Sequence, residues 1–224
     1  MVERADDDAG LPTEAWEMVE DYARTLVHAG MTSLDDTVRD VVDFVSDEHP
    51  ITPAGARPVV ERVWRERAAE QEGWPASTDV DRLFEVFAAL DRDGIVARAD
   101  FTCCQTCGHA EIGDEAGDDA RGYVFFHRQD TESAVVGDGV WLAYGSFGEL
   151  ADVEPADHET SDHEPDDVEP DDLEPAGRAA ADEAVAREVV AALTAVGLPV
   201  EWNGSAHTRI KVGPMAWQKR LPVA

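Results

Sequence analysis

The stretch Phe101-Thr-Cys-Cys-Gln-Thr-Cys-Gly-His-Ala-Glu111 contains every cysteine of the 224-residue chain. It lies between two predicted strands, residues 94–101 and residues 122–129, the second of which is rich in valine and aromatic residues. Such runs, bounded by glycine and charged residues, are typical of β-strands. We therefore interpret the stretch as a loop presented by a sheet, and we expect the chemistry of this protein to lie there.

The spacing of Cys104 and Cys107, with a glycine directly after the second cysteine, is that of a zinc knuckle. In such a turn both thiolates point to one metal ion, and the glycine lets backbone amides approach the sulfurs. A structural zinc site takes four ligands, and the remaining candidates are Cys103, His109 and His127. The spacing predicts zinc as a cofactor but leaves the ligand set open, because no second CxxC pair is present and Cys103, as the neighbour of Cys104, is expected to point elsewhere.

Other chemistry is open to the same residues. Disulfide exchange is disfavoured, because the acidic surroundings raise a thiol pKa and no clear helix follows Cys107. A hydrolase could use Cys104 as nucleophile, His127 as base and Asp130 to orient the base. The thiols could also be small buried groups without any chemistry. Whether the protein is an enzyme is therefore left open.

Upstream of this stretch, residues 13–93 are predicted to form a helical region. Apolar residues recur there at helical spacing, and helix starts are expected at Thr13, Ser33, Thr52 and Ser77 or Thr78. A winged-helix arrangement is the lesser alternative, since such folds present basic residues to DNA and this region is acidic. Residues 1–12 are charged and lack periodicity, so they are predicted to be a disordered acidic N-terminus.

Residues 94–224 are predicted to form an α+β domain. The full fold prediction is a helical N-terminal region followed by a small antiparallel sheet with one packed helix. The first three strands, 94–101, 122–129 and 140–144, are expected to form a meander. A helix at 180–195 follows, and then a hairpin of strands 199–202 and 208–212 with its turn at Asn203-Gly204. Trp217 is expected to dock the C-terminus.

Residues 152–176 are five pentapeptides of the pattern Asp-x-Glu-Pro/Thr-x. They carry twelve carboxylates and no basic residue, so they are predicted to be a disordered insertion in the α+β domain. Two histidines in the repeat, His158 and His163, could bind a metal weakly. A further hypothesis is that the repeat binds a basic protein partner.

The formal net charge of −31 bounds the partners. Such a surface repels phosphate backbones, so nucleic acid is not expected as a partner. No apolar run reaches the roughly 18–20 residues of a membrane helix, and the acidic N-terminus has no secretory pattern. We expect a cytoplasmic protein without a membrane partner. The near absence of lysine favours a halophilic, salt-rich cytoplasm over a high-GC genome as the origin of the acidity. The sequence indicates no particular small-molecule ligand.

Four segments together resemble a family of uncharacterised bacterial proteins; they are Phe101–Glu111, Gly122–Glu132, Leu142–Gly145 and Gly197–Trp202. The resemblance covers about residues 80–220 and implies no particular activity. The acidic repeat is interpreted as an expansion specific to this chain. The function predicted from the sequence is a binding or structural module with a zinc-knuckle-like Cys/His site, and a thiol- or metal-dependent enzyme is the alternative.

Overall fold

The computed structural model describes residues 11–148 and 175–222, in which seven α-helices and five β-strands occur. Backbone proximity divides these residues into two units. The first consists of residues 11–82, 129–139 and 214–222, and the second of residues 83–128, 140–148 and 175–213. Most of the acidic repeat lies outside the described residues, as do residues 1–10.

The first unit is built on three helices, α1 (Thr13–Ala29), α2 (Leu34–Ser46) and α3 (Pro53–Gln71). The predicted starts of α1 and α2 are confirmed: the hydroxyl of Ser33 accepts a 3.2 Å hydrogen bond from the backbone N–H of Asp36. Gly30 ends α1 with φ 69°, a left-handed conformation that suits glycine. The apolar stripes of the three helices form one buried core, which includes Val19, Leu26, Val41, Val45, Val60 and Val63. The helix α4 (Asp79–Arg92) follows them in the chain.

The C-terminal segment completes this unit, as predicted for Trp217. The indole N–H of Trp217 donates to the Ala29 carbonyl at 3.0 Å. Arg67, which is only 6% exposed, donates to the Trp217 carbonyl at 2.8 Å and to the His28 carbonyl at 3.3 Å. The bonds to His28 and Ala29 satisfy carbonyl groups at the C-terminal end of α1 that have no partner within the helix.

The second unit contains a five-stranded sheet in the order β1-β2-β3-β5-β4. The strands are β1 (Ile95–Arg98), β2 (Gly122–Phe125), β3 (Val140–Ser146), β4 (Val200–Glu201) and β5 (Ile210–Val212). The predicted α+β class is confirmed. The sheet is mixed, however, because β1 and β2 are parallel while the other pairs are antiparallel. The predicted antiparallel meander was wrong at this pair: a crossover with the helix α5 (Gln105–Glu111) and a 3-10 helix (Ile112–Glu115) connects β1 to β2.

The two faces of the sheet pack differently. One face packs against the helix α7 (Pro175–Ala195), where a Cβ on Gly122 would lie 2.6 Å from Val185 and where Asp182 accepts hydrogen bonds from Ser146. On the other face the strand register aligns Tyr123 with Gly145 and Phe125 with Ala143. This face carries an apolar cluster formed by Val96, Ile112, Phe125 and Ala143.

The strand predicted at 122–129 is shorter than expected. The strand β2 ends at Phe125, and the helix α6 (Arg128–Val135) starts three residues later. Arg128, Asp130 and Glu132 therefore lie in a helix, and Asp130 is only 4% exposed. None of the helices in the described ranges is long and apolar enough to cross a membrane.

Candidate metal centre

The cysteine stretch starts at a sharp reversal after β1. Asp100 and Thr102 have φ values of 54° and 60°, in the left-handed region that residues other than glycine rarely adopt. Backbone hydrogen bonds hold the reversal on the end of β2, from Phe101 N–H to the Phe126 carbonyl at 2.9 Å and from Arg128 N–H to the Thr102 carbonyl at 3.2 Å. The conformation of the segment before the cysteines is therefore set by the sheet.

The helix α5 starts directly within the cysteine motif. Cys104 is its N-cap with extended backbone angles, and the Gly108 N–H donates to the Cys104 carbonyl at 3.0 Å. The prediction that no helix follows the CxxC motif was therefore wrong. With Cys104 at the cap and Cys107 in the first turn of the helix, both side chains lie at the same end of α5.

The structure brings the three sulfur atoms together. Each sulfur lies within 4.8 Å of the other two, and the Cys103 and Cys107 sulfurs are 3.6 Å apart. Cys103 is exposed, while Cys104 and Cys107 are half-buried, and all three are free thiols. The expectation that Cys103 points elsewhere was wrong, because the left-handed turn at Thr102 precedes it and it stands outside the helix.

Hydrogen bonding within the group separates the thiols. A hydrogen bond from the backbone N–H of Cys107 lowers the pKa of Cys104 from the ordinary thiol value, and hydrogen bonds with the Cys107 and Cys103 side chains lower it further. Hydrogen bonding with the Cys103 sulfur, and then with the Cys104 sulfur, raises the pKa of Cys107 to about 11. In the metal-free group, Cys107 therefore keeps its proton while Cys104 is the sulfur whose thiolate is best stabilised.

The helix α5 is seated on the sheet through Gly108. A Cβ at this position would lie 2.4 Å from Cε2 and 2.6 Å from Cζ of Phe125. Any side chain larger than hydrogen would therefore lift the helix off the Phe125 ring. The glycine after the CxxC motif was expected to let backbone amides approach the sulfurs. In the structure, the contact that requires a glycine at position 108 is its packing against the Phe125 ring.

His109 also faces the sheet. Its Nδ1 lies 3.2 Å from the hydroxyl of Tyr123 and its Nε2 lies 3.3 Å from Nε2 of Gln105, while its ring packs edge-on against Tyr123 and Phe125. Burial, and then the positive charge of Arg209, lowers the pKa of His109 from its ordinary value. Burial, and then the negative charge of Asp182, raises the pKa of Tyr123 to about 12.

The predicted site residues thus separate into two sets. Within the described residues, the group of possible ligands that lie within 4.8 Å of one another consists of Cys103, Cys104 and Cys107. His109 lies on the same helix but is not a member of that group, and neither is His127, which is 5% exposed on the segment between β2 and α6.

Sequence reasoning missed the partners of His109. Alternation along β2 puts Tyr123 and Phe125 on one face, and their rings stack with centroids 6.0 Å apart. The same alternation gave no reason to place α5 over that face. The helical spacing of Gln105 and His109, four residues apart, would have been the available signal once a helix was assumed.

The fold and the sulfur group define an α+β protein with a three-thiol cluster that is compatible with a metal site. The chain belongs to the family described as domain of unknown function (DUF6891), whose model matches residues 12–164 and 167–221. The predicted membership of an uncharacterised family is therefore confirmed. The match enters the acidic repeat from both sides and is interrupted at residues 165–166. No curated protein and no solved structure matches this chain.

Proposed function

We propose that this protein is a metal-binding module in which the thiolates of Cys103, Cys104 and Cys107 hold one thiophilic divalent cation, zinc in the first place. The single observation that carries the proposal is the convergence of the three sulfurs at the start of α5. Soft thiolate donors favour zinc and similar metals over hard cations such as calcium or magnesium.

The spacing of the sulfurs supports this proposal. A Zn–S bond is about 2.3 Å long, so two thiolates of a tetrahedral site are about 3.8 Å apart. The Cys103 and Cys107 sulfurs are 3.6 Å apart, and each pair in the group lies within 4.8 Å. Small side-chain rotations are therefore enough to bring all three sulfurs to coordinating distance, because the backbone already gathers them.

The fourth position has two candidate protein ligands, His109 and His127, as the sequence proposed. His109 is the nearer in sequence, and it would have to exchange a contact with Gln105 or Tyr123 for the metal. A water molecule is the other candidate for this position, and it would leave the site open.

The test is the zinc content and zinc affinity of protein purified without added metal. We expect close to one zinc per chain, and a loss of affinity of at least about tenfold in each of Cys103→Ser, Cys104→Ser and Cys107→Ser. His109→Ala and His127→Gln identify the fourth ligand by the same titration. Less than about 0.2 zinc per chain, with three titratable thiols in the folded protein, would overturn the proposal.

A metal-dependent enzyme that uses the same cluster is the second candidate. The observation that favours it is the number of clustered donors, since catalytic zinc sites have three protein ligands and one open position. Cobalt-substituted protein separates the two candidates. An open site changes its visible spectrum when an exogenous thiol or azide is added, whereas a site closed by four protein ligands does not.

An interaction protein that uses the acidic repeat is the remaining candidate from the sequence. It is tested by deleting residues 152–174 and comparing the partners retained from cell extract by the two forms. Equal retention of every partner would remove this candidate.

A further inference from the structure

The cysteine group contains one pair of sulfurs that are in direct contact with each other. The Cys103 and Cys107 sulfurs are 3.6 Å apart, and a disulfide bond is about 2.05 Å long. Cys103 precedes the N-cap of α5, so its backbone is outside the helical hydrogen bonds, and its side chain is exposed. The Cys103 sulfur is thus accessible from solvent, while Cys107 belongs to the helix.

We propose that Cys103 and Cys107 form an oxidative modification site, which a hydroperoxide converts into an intrachain disulfide. This inference goes beyond the proposed function, because the disulfide forms in the metal-free protein. Its regulatory consequence, the release of the metal, rests on that function.

The reaction has two steps. The Cys103 thiol gives up its proton, and its sulfur attacks the distal peroxide oxygen as the O–O bond breaks. Cys103 becomes a sulfenic acid, and the leaving hydroxide or alkoxide takes up that proton and departs as water or an alcohol. The Cys107 sulfur then attacks the Cys103 sulfur, the S–O bond breaks, and a second water leaves with the proton of Cys107. Two thiols and one hydroperoxide thus yield one disulfide, one alcohol or water, and one water.

The geometry favours this pair over the other two. Cys103 and Cys104 are adjacent, and a disulfide between neighbours closes a small ring that strains the planar trans peptide between them. Cys104 is fixed as the N-cap by the turn of α5. Cys103 is exposed and meets the peroxide directly, and its sulfur must approach Cys107 by only about 1.5 Å to reach bonding distance.

The modification and the metal compete for the same atoms. A disulfide between Cys103 and Cys107 removes two of the three thiolates from the site. A bound metal in turn occupies the electron pairs that would attack the peroxide. The oxidised protein is therefore expected to lose its metal, and the metal-bound protein is expected to resist oxidation.

The experiment treats chelator-stripped protein with hydrogen peroxide and follows free thiols and intact mass. We expect the thiol count to fall from three to one, with a mass decrease of two hydrogens, and dithiothreitol to restore all three thiols. Trypsin leaves the cysteines on one peptide, residues 99–121, so the pairing is assigned with variants. Cys104→Ser should still lose two thiols, whereas Cys103→Ser and Cys107→Ser should form no intrachain disulfide.

Two results would overturn the proposal. One is an intrachain disulfide in peroxide-treated Cys103→Ser, which would make Cys104 and Cys107 the reactive pair. The other is a gain of oxygen in the wild-type mass without the loss of two hydrogens. Circular dichroism confirms that each variant is folded.

The same samples separate this proposal from the metal function. Zinc-loaded protein should keep three thiols over the time in which stripped protein loses two. Protein that binds no zinc but forms the disulfide disproves the function and leaves the inference intact. Protein that binds zinc but forms no disulfide disproves the inference and leaves the proposed function intact.

Discussion

Only glycine fits at position 108, because any Cβ there would overlap a neighbouring ring. The ring of Phe125 lies where a Cβ would be placed, at 2.4 Å, and Phe125 is fully buried in the sheet and cannot retreat. The helix α5 thus rests on the sheet at the residue that directly follows Cys107.

Gly108→Ala should displace α5 from Phe125. We expect a loss of about 1–3 kcal/mol in the free energy of unfolding, as for other overpacked sites, together with weaker zinc binding. Urea unfolding and a zinc titration measure the two effects. Gly113→Ala is the matched control, because a Cβ there meets nothing within 4 Å. Equal effects of the two variants would show that the Phe125 contact does not constrain the helix.

His28, in the last turn of α1, gives the first unit a pH dependence. Burial, and then the positive charge of Arg67, lowers the pKa of His28 from its ordinary value. Below about pH 6.5 the unfolded chain takes up a proton that the folded chain resists, so stability falls as the pH falls through this range. In His28→Gln, the free energy of unfolding should decrease less between about pH 7 and pH 5 than in the wild type. Parallel curves for the two proteins would contradict this.

At the scale of elements, the long helices were predictable and the short ones were not. The starts of α2 and α3 follow from the capping residues Ser33 and Thr52, and apolar stripes repeat over several turns of these helices. The helix α5 has only seven residues, one of them Gly108, and its N-cap Cys104 makes no side-chain capping bond. Tertiary packing on Phe125 stabilises it instead. The sequence before and after it carries no sign of that packing.

The helix α6 was missed for a related reason. Valine and aromatic residues make the run that starts at Gly122 strand-like, and no glycine or proline marks its end at Phe125. The proximity of Cys104 and Cys107 was predictable from spacing alone, because one helical turn or one knuckle brings them together. The inclusion of Cys103 depends on the left-handed backbone at Thr102, which single-residue patterns do not indicate.

The elements that carry the sulfurs should persist without metal. The reversal at Phe101 is tied to β2 by backbone hydrogen bonds, and α5 is packed on the sheet, so neither depends on a cation. Removal of zinc by a chelator should leave the far-ultraviolet circular dichroism unchanged. It should lower the thermal midpoint only by the amount that zinc binding to the folded state contributes. A collapse of the helical signal, as in a zinc finger, would show that the metal builds the fold.

At the scale of the whole molecule, charge is the dominant property. The chain has 49 acidic and 18 basic side chains. Several arginines form partly exposed ion pairs, such as Arg121–Glu188 and Arg98–Glu115. Exposed pairs contribute little, about 0–1 kcal/mol each, so the repulsion among the remaining carboxylates outweighs them.

Salt should therefore stabilise this protein. Raising sodium chloride from about 0.1 M to about 1 M shortens the screening length from roughly 10 Å to 3 Å and weakens the net repulsion. We expect the thermal midpoint to rise, and to rise less in a variant that lacks residues 152–174, which removes twelve carboxylates and no base. A midpoint that falls with salt would mean that attractive pairs dominate.

The docking of Trp217 on α1 has a consequence for biosynthesis. The indole donates to a carbonyl 188 positions earlier in the chain, and the backbone of Trp217 is in turn held by Arg67. While the polypeptide emerges from the ribosome, the N-terminal helices lack this partner until Trp217 has been synthesised and has left the exit tunnel. The first unit therefore cannot form these bonds while the residues between α3 and Trp217 are being made, and nascent chains would expose its unfinished surface to chaperones during that time.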